Sequence, residues 1–234
     1  MCALAVTGAT GVTGCSEDPD AGTNGVGRLS AGQIESRTRS AADSAGAVRL
    51  SGTVVTSGNT YRIDMRLKAG GGTGSVTSKG ATFQLLRIGE QLYLKADADF
   101  WRHADGADAK GGEVASADKL DGKYVKVPQG DPAYKKFSGF TDKDLLLDGL
   151  LTLHGDLTTD GHHEQAGVRT IRITGDKGAG GTLDVSLEGE PYPLNLTRAG
   201  DAGTLSFSDW DKGFTLKEPS KGDTVDYGKQ LPAS

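Results

Sequence analysis

Apolar and polar side chains alternate along most of this chain. In "VRLSGTVVTSGNTYRIDMRLKAGGG", Val48, Leu50 and Val54 precede a turn at "SGNT", and Ile63, Met65 and Leu67 follow it. Period-two spacing on both sides of a turn predicts a hairpin with one buried face. "TFQLLRIGEQLYLKAD" repeats the form, with Phe83, Leu85, Leu92 and Leu94 around Gly89-Glu90. "VRTIRITGD", "GTLDVSLEG", "YPLNLTRAG", "GTLSFSDW" and "FTLKEP" predict further short arms, each closed by Gly, Pro or Asp. About ten or eleven strands at such spacing imply an α+β chain built on one large, curved antiparallel sheet or barrel, not βαβ units.

Two stretches carry helical spacing. "SAGQIESRTRSAADSAG" starts with Ser30 as N-cap and Gln33 three residues on, a capping box, and Gly46 marks its stop. Its apolar positions (Ala31, Ile34, Ala41, Ala42, Ala45) predict packing by one shallow face. In "FTDKDLLLDGLLTLHGD", Thr141 and Asp144 form a second start signal. Leu145, Leu146, Leu147, Leu150 and Leu151 make this helix apolar round most of its circumference. Two readings follow: the helix plugs the sheet as ordinary core, or it lines a lipid-sized cavity against the sheet. Residues 97–128 read as short helices and loops leading into a strand at Tyr124–Val127.

Composition supports a turn-rich β chain, with 36 glycines of no fixed period, and 6% aromatic residues. A net charge of −5 with both signs interspersed gives no basic stripe, which excludes a nucleic-acid partner. Both cysteines, Cys2 and Cys15, lie in the first 15 residues, so the body can hold neither a disulfide nor a cysteine zinc site. No apolar run after Cys15 approaches the ~18 residues of a transmembrane helix.

The opening "AVTGATGVTGCSEDPD" admits two chemistries. Gly8, Gly11 and Gly14 resemble a dinucleotide-binding turn, but that turn must lead into a helix N-terminus. Here it leads into "SEDPDAGTNGVG", whose proline and turn residues block a helix and whose acids would repel a pyrophosphate. The rival is a processing site: residues 1–14 are uncharged, and small Thr13 and Gly14 precede Cys15. "Val-Thr-Gly-Cys" resembles the lipobox of bacterial lipoproteins, which implies lipidation of the Cys15 thiol. No Lys or Arg precedes Cys15, so the expectation is a signal-peptide remnant (1–15) whose basic start lies upstream. An incidental cysteine in a Gly/Ala/Thr tail is the competing reading. Residues 16–29 predict a flexible linker reaching up to ~50 Å when extended, before a domain spanning residues 30–230.

Three further strings occur in order: "EQLYLKADADFWRHADG", "LDGKYVKVPQGD" and "LSFSDWDKGFTLKEPSKGDTVD". With the lipobox, they resemble the LppX/LprAFG family of actinobacterial lipoproteins. The matching positions are Tyr93, Trp101, Leu120 to Val125, Phe207 to Trp210 and Pro219, with Tyr124 where Trp is common. The resemblance implies a half-barrel like that of the LolA/LolB carriers, with helices across the concave face. It also implies an exported protein anchored at the extracytoplasmic face of the cell membrane. Such a protein binds acylated lipid or glycolipid without catalysis and without a cofactor, as a monomer, with an envelope transporter as an expected partner.

Burying an acyl chain is worth about 0.8 kcal/mol per methylene, so an apolar cavity suffices to hold a lipid. The candidate lining is Val54, Ile63, Met65, Leu67, Leu92 and Leu94, closed by Phe140, Leu146 and Leu150. Each of these also reads as plain core. The alternative function is a non-carrying surface lipoprotein, a scaffold or accessory factor of an envelope complex, marked by a contiguous exposed apolar patch. His162, His163 and Glu164 are the most metal-like group, but in "TTDGHHEQAG" they read as a solvated hairpin tip, and no metal is expected. No G-x-S-x-G elbow supports a hydrolase.

Overall fold

The computed structural model describes residues 18–56, 58–104 and 117–226. Its strands are β1 (Ala47–Thr56), β2 (Asn59–Lys68), β3 (Gly71–Ser78), β4 (Ala81–Ile88), β5 (Gln91–Ala96) and β6 (Tyr124–Val127), then β7 (Leu157–Gln165), β8 (Val168–Gly175), β9 (Thr182–Ser186), β10 (Pro193–Thr197), β11 (Thr204–Ser208) and β12 (Thr224–Asp226). They form one curved, unclosed sheet of 12 strands in the order β12-β6-β5-β4-β3-β2-β1-β11-β10-β9-β8-β7. The β12–β6 pair is parallel; β1 to β5 form a meander of antiparallel hairpins.

The predicted α+β sheet is present, with more strands than expected. β3 was not among the predicted arms, because glycine replaces apolar residues on its inward face. A Cβ at Gly72 would stand 2.6 Å from Leu67 Cδ2, and one at Gly74 would stand 2.7 Å from Met65 Sδ. β7 is mostly exposed on both faces, so its sequence carries no alternation. "FTLKEP", read as an arm, is irregular instead. It runs along β2, whose two edges already pair with β1 and β3. Phe214 lies under the Arg66 guanidinium, 4.7 Å from ring centroid to Cζ, and its carbonyl accepts from Lys68 Nζ at 3.0 Å.

Helix α1 (Ala31–Ser44) opens as predicted, Gln33 Oε1 accepting from Ser30 N at 3.1 Å and from Ser30 Oγ at 3.0 Å. Its buried face is Ala31, Ile34, Thr38 and Ala42. Gly46 is not its cap. Ala45, in extended conformation, ends the helix, and Gly46 N donates to Asp211 Oδ1 at 2.6 Å. The Leu-rich helix α4, labelled after α2 (Ala98–Ala104) and α3 (Pro132–Ser138), spans Lys143–Leu150. Asp142, not Thr141, is its N-cap, accepting from Leu145 N at 3.0 Å. Leu147 and Leu150 are buried, but Leu145 is 65% exposed, so α4 is covered on one side only.

Lys143 joins the two long helices. Its side chain is 4% exposed, and Nζ donates to Asp43 O at 3.0 Å and Ala42 O at 3.3 Å while pairing with Asp144 at 2.7 Å. A buried ammonium is tolerable there because the last carbonyls of α1 carry partial negative charge. Arg39 of α1 pairs with Asp148 of α4, and Glu35 accepts from Leu153 N at 3.1 Å.

Residues 18–29, within the stretch read as a flexible linker, are docked on the domain. Asn24 N donates to Leu187 O at 2.9 Å, and Asn24 Nδ2 donates to Ser186 O and Gly189 O. Arg169 donates to the carbonyls of Ala21 and Gly22, and Val26 is buried. Composition alone hid this, because apart from buried Val26 the contacts are polar ones to partners far along the chain.

At the same rim Tyr192 stacks on Trp210 with centroids 4.6 Å apart, and its hydroxyl donates to Asp211 Oδ2 at 2.5 Å. Burial first, and then the bond to Asp211, pushes the Tyr192 phenol up to about 12. The hydrogen bond from Tyr192, and next that from Gly46 N, hold the Asp211 carboxyl below its usual range. The phenol contribution to stability is therefore full below its unfolded value of about 10 and is lost as pH rises through about 12. Absorbance titration of the phenols should show a late phase at about 12 that Y192F removes, leaving the phase from Tyr93, which burial also raises. In the same variant, the Asp211 pKa should move up toward the ordinary carboxylate range by NMR.

Candidate functional site

A concavity lies at one end of the β2–β5 meander. Lys79 and Gly80 make the β3–β4 turn, both at positive φ (52° and 83°), as a two-residue type I′ hairpin requires. This turn forms one wall with Asn59 and Tyr61 of β2 and Phe83 of β4. The other wall comes from α2, α3 and the turn Gly139–Thr141. The cleft holds about 820 Å³ and is open on one side to solvent.

Its lining is aromatic. Tyr61, Phe83, Phe100, Phe137 and Phe140 all contribute, which takes four of the six phenylalanines of the chain. Phe83 contacts Phe100 at 5.4 Å and Phe137 at 5.3 Å between centroids, and Tyr61 contacts Phe140 at 5.9 Å. The tilted and edge-on geometries are those favoured by ring quadrupoles. Lys79, Lys136, Asp97 and Asp99 supply charges of both signs to the lining. Asp97 is committed to its helix, its carboxylate accepting from Phe100 N at 2.8 Å.

Three local devices hold these rings. Asp131 caps α3, accepting from Ala133 N at 2.8 Å, with Pro132 at the first helical position. This sets Phe137 facing the sheet. Arg87 of β4 then fastens the following turn: Nε donates to Thr141 Oγ1 at 3.0 Å, and Nη2 to Thr141 O at 2.9 Å and Asp142 Oδ2 at 3.2 Å. Finally, the missing side chain of Gly72 admits that turn, since a Cβ there would stand 3.2 Å from Thr141 O.

Of the nine lining candidates, Phe140 lines the cleft. Ile63, Met65, Leu67, Leu92, Leu94 and Leu150 are buried in the main apolar core, and Val54 and Leu146 pack partly buried against it. The cleft therefore lies beside the core, under α2 and α3, and not under the Leu-rich α4. Tyr61, Phe83, Phe100 and Phe137 escaped the sequence reading because it weighted strand alternation. The available signal was the clustering of scarce phenylalanines at residues 83–140. Cys15 and the 1–15 segment lie outside the described residues.

His162 and His163 sit within edge strand β7, paired opposite Ile171 and Thr170, not at a hairpin tip. His162 Nε2 meets Asp20 Oδ1 at 3.0 Å, and His163 Nε2 meets Asp160 O at 2.8 Å. No group of three or more possible metal ligands occurs among the described residues.

By sequence, the chain matches no family model and no curated protein. By shape it matches LprF from Mycobacterium bovis at 17% identity, covering 81% of this chain and 97% of that one, with a TM-score of 0.51. The fold is that of LprF. Two weaker likenesses are the Mycobacterium tuberculosis lipoprotein LppX (14% identity, 79% and 97% covered, TM-score 0.46) and an uncharacterized conserved protein from Thermus thermophilus (11%, 84% and 98%, 0.39). Strings that carried the resemblance in sequence have structural work in this LprF-like fold. Trp101 and Leu120 are buried, and Trp210 donates to Pro193 O at 3.0 Å.

Arg87 is 13% exposed and makes charge-assisted bonds to the turn that bears Phe140. R87M should cost roughly 1.5–3 kcal/mol in urea unfolding. R87K should recover only part, because one ammonium cannot reach all three acceptors from the guanidinium's positions.

Proposed function

We propose that this protein is an exported lipoprotein, anchored through Cys15 at the extracytoplasmic face of the cell membrane, which binds acylated lipid and carries it across the envelope. The observation that supports this most directly is the aromatic cleft. Its volume, about 820 Å³, falls within the ~300–1,000 Å³ usual for small-molecule sites. Its apolar surface comes from rings already packed on one another, so little ordering is needed before a ligand enters. Each methylene moved into it from water contributes about 0.8 kcal/mol. The mixed charges in its lining suit a polar headgroup left near solvent. Binding proceeds without catalysis in this reading. The "VTGC" processing site supplies the anchor, and the LprF-like fold provides the sheet that carries the cleft.

The scaffold alternative calls for a contiguous apolar surface. Among the described residues Leu145 is the exposed large hydrophobic side chain, and one leucine makes no patch.

Mass spectrometry of the domain purified under native conditions should reveal co-purified acyl lipid. F140D, which sets a carboxylate among the rings while leaving the packed core intact, should lose it. A domain free of lipid in both forms overturns the binding reading. C15A should move the protein from the membrane fraction to the soluble fraction; retention in the membrane would remove the anchor from the proposal.

A further inference from the structure

The docked segment 18–29 and the aromatic cleft occupy opposite rims of the sheet. The segment bonds to Ser186, Leu187 and Gly189 just beyond β9. Strand register carries this rim through Pro193 of β10, paired with Val185, and Ser208 of β11, paired with Arg49, to Ala47 of β1, paired with Lys68. The cleft lies at the other ends of the same meander, where Thr56 pairs with Asn59 and Ser78 with Ala81. Between the rims runs the length of β2, Asn59 to Lys68, roughly 30 Å at strand rise.

The segment is tightly seated. Asp20 is 11% exposed, with its carboxylate 3.0 Å from His162 Nε2. Gly27 passes so close that a Cβ there would overlap the Asp20 carboxylate and stand 3.3 Å from Leu187 Cδ2. Only Ser16 and Glu17 separate Cys15 from Asp18. The Cys15 Cα thus lies within about 11 Å of the Asp18 Cα, whatever path the chain takes. A linker running free to residue 29 would put up to ~50 Å of chain between anchor and domain, against about 11 Å between anchor and docked segment here.

We propose that the docked segment sets the anchored domain in one orientation, with the β8–β9 rim on the bilayer and the cleft facing away. The cleft then exchanges its ligand with an acceptor on the aqueous side, not with its own membrane. This rests on the anchor and cleft assigned under Proposed function, and adds the direction in which the cleft is presented.

The two tryptophans report the two rims. Trp210 bonds to Pro193 O beside the docked segment, whereas Trp101 packs on Phe100 of the cleft at 5.2 Å. Because the body has no other thiol, the full chain with C2S can be coupled through Cys15 to a maleimide-bearing phospholipid in phosphatidylcholine vesicles with dansyl-labelled headgroups. Co-flotation confirms coupling. In W101F the remaining Trp210 should lose most of its emission to the dansyl groups. In W210Y, which keeps a ring to stack on Tyr192, Trp101 should keep most of its emission, and the parent protein should give the sum. Equal transfer from both, or greater transfer from Trp101, overturns the orientation. G27L, which forces the segment off its seat, should erase the difference; if the ordering survives, the segment does not set it. Since the lipid is attached chemically, these outcomes do not depend on acylation in cells, and a cleft found empty would leave them unchanged.

Discussion

An open sheet must have its apolar face covered by something other than itself, and this chain has little helix with which to do so. Laid flat, twelve strands span about 53 Å at ordinary strand spacing. Among the described residues, helices α1 to α4 end to end measure about 54 Å and are each ~10 Å wide. Curvature folds the sheet toward itself and makes up much of the deficit. What remains is distributed unevenly. α1, tied to α4 and the residues after it by Lys143, Arg39 and Glu35, lies against β7 and β8. Among the described residues, two seven-residue helices and the turn Gly139–Thr141 meet the ends of β2 to β5, and there the cleft opens.

The polar contacts follow from that shortage. Short helices are marginal alone and need fixed ends. Asp131 and Asp142 cap α3 and α4 through their carboxylates, and Arg87 ties the turn between them to the sheet. Glycine has a matching role: β3 gives up side chains at Gly72 and Gly74 so that Leu67, Met65 and the Thr141 carbonyl can come close. The aromatic rings of the cleft stand on this frame, their own contacts being ring to ring.

Sequence reading recovered the parts of the fold with an internal period. The β1–β2 and β4–β5 hairpins alternate because one face is core, and the Ser30–Gln33 box is a local bond visible in four residues. It failed where the determining contact leaves no apolar period in the sequence. β3 owes its place to neighbours that exclude side chains, and β7, mostly exposed on both faces, to its pairing with β8 and its contacts with α1 and Asp20. Asn24 finds its partners 162 and 165 residues away. Of the cleft, Phe140 was the one ring legible in advance. Inward strand positions identified the core correctly as apolar. The cleft, however, is made where core gives way to rings drawn from four separate segments, and no single segment announces that meeting.

β12 gives the sheet its far edge. Three residues, Thr224 to Asp226, pair in parallel with Tyr124 to Lys126, a contact spanning about a hundred positions along the chain. Until those residues arrive, the outer edge of β6 offers open amides and carbonyls on a stretch reading "YVKV". Such an edge is a template for another chain's strand. The short parallel strand takes up the hydrogen-bonding valences of "YVKV" and puts three residues ending in Asp226 at the edge in its place, a stretch too short to serve copies of this sheet well as a template.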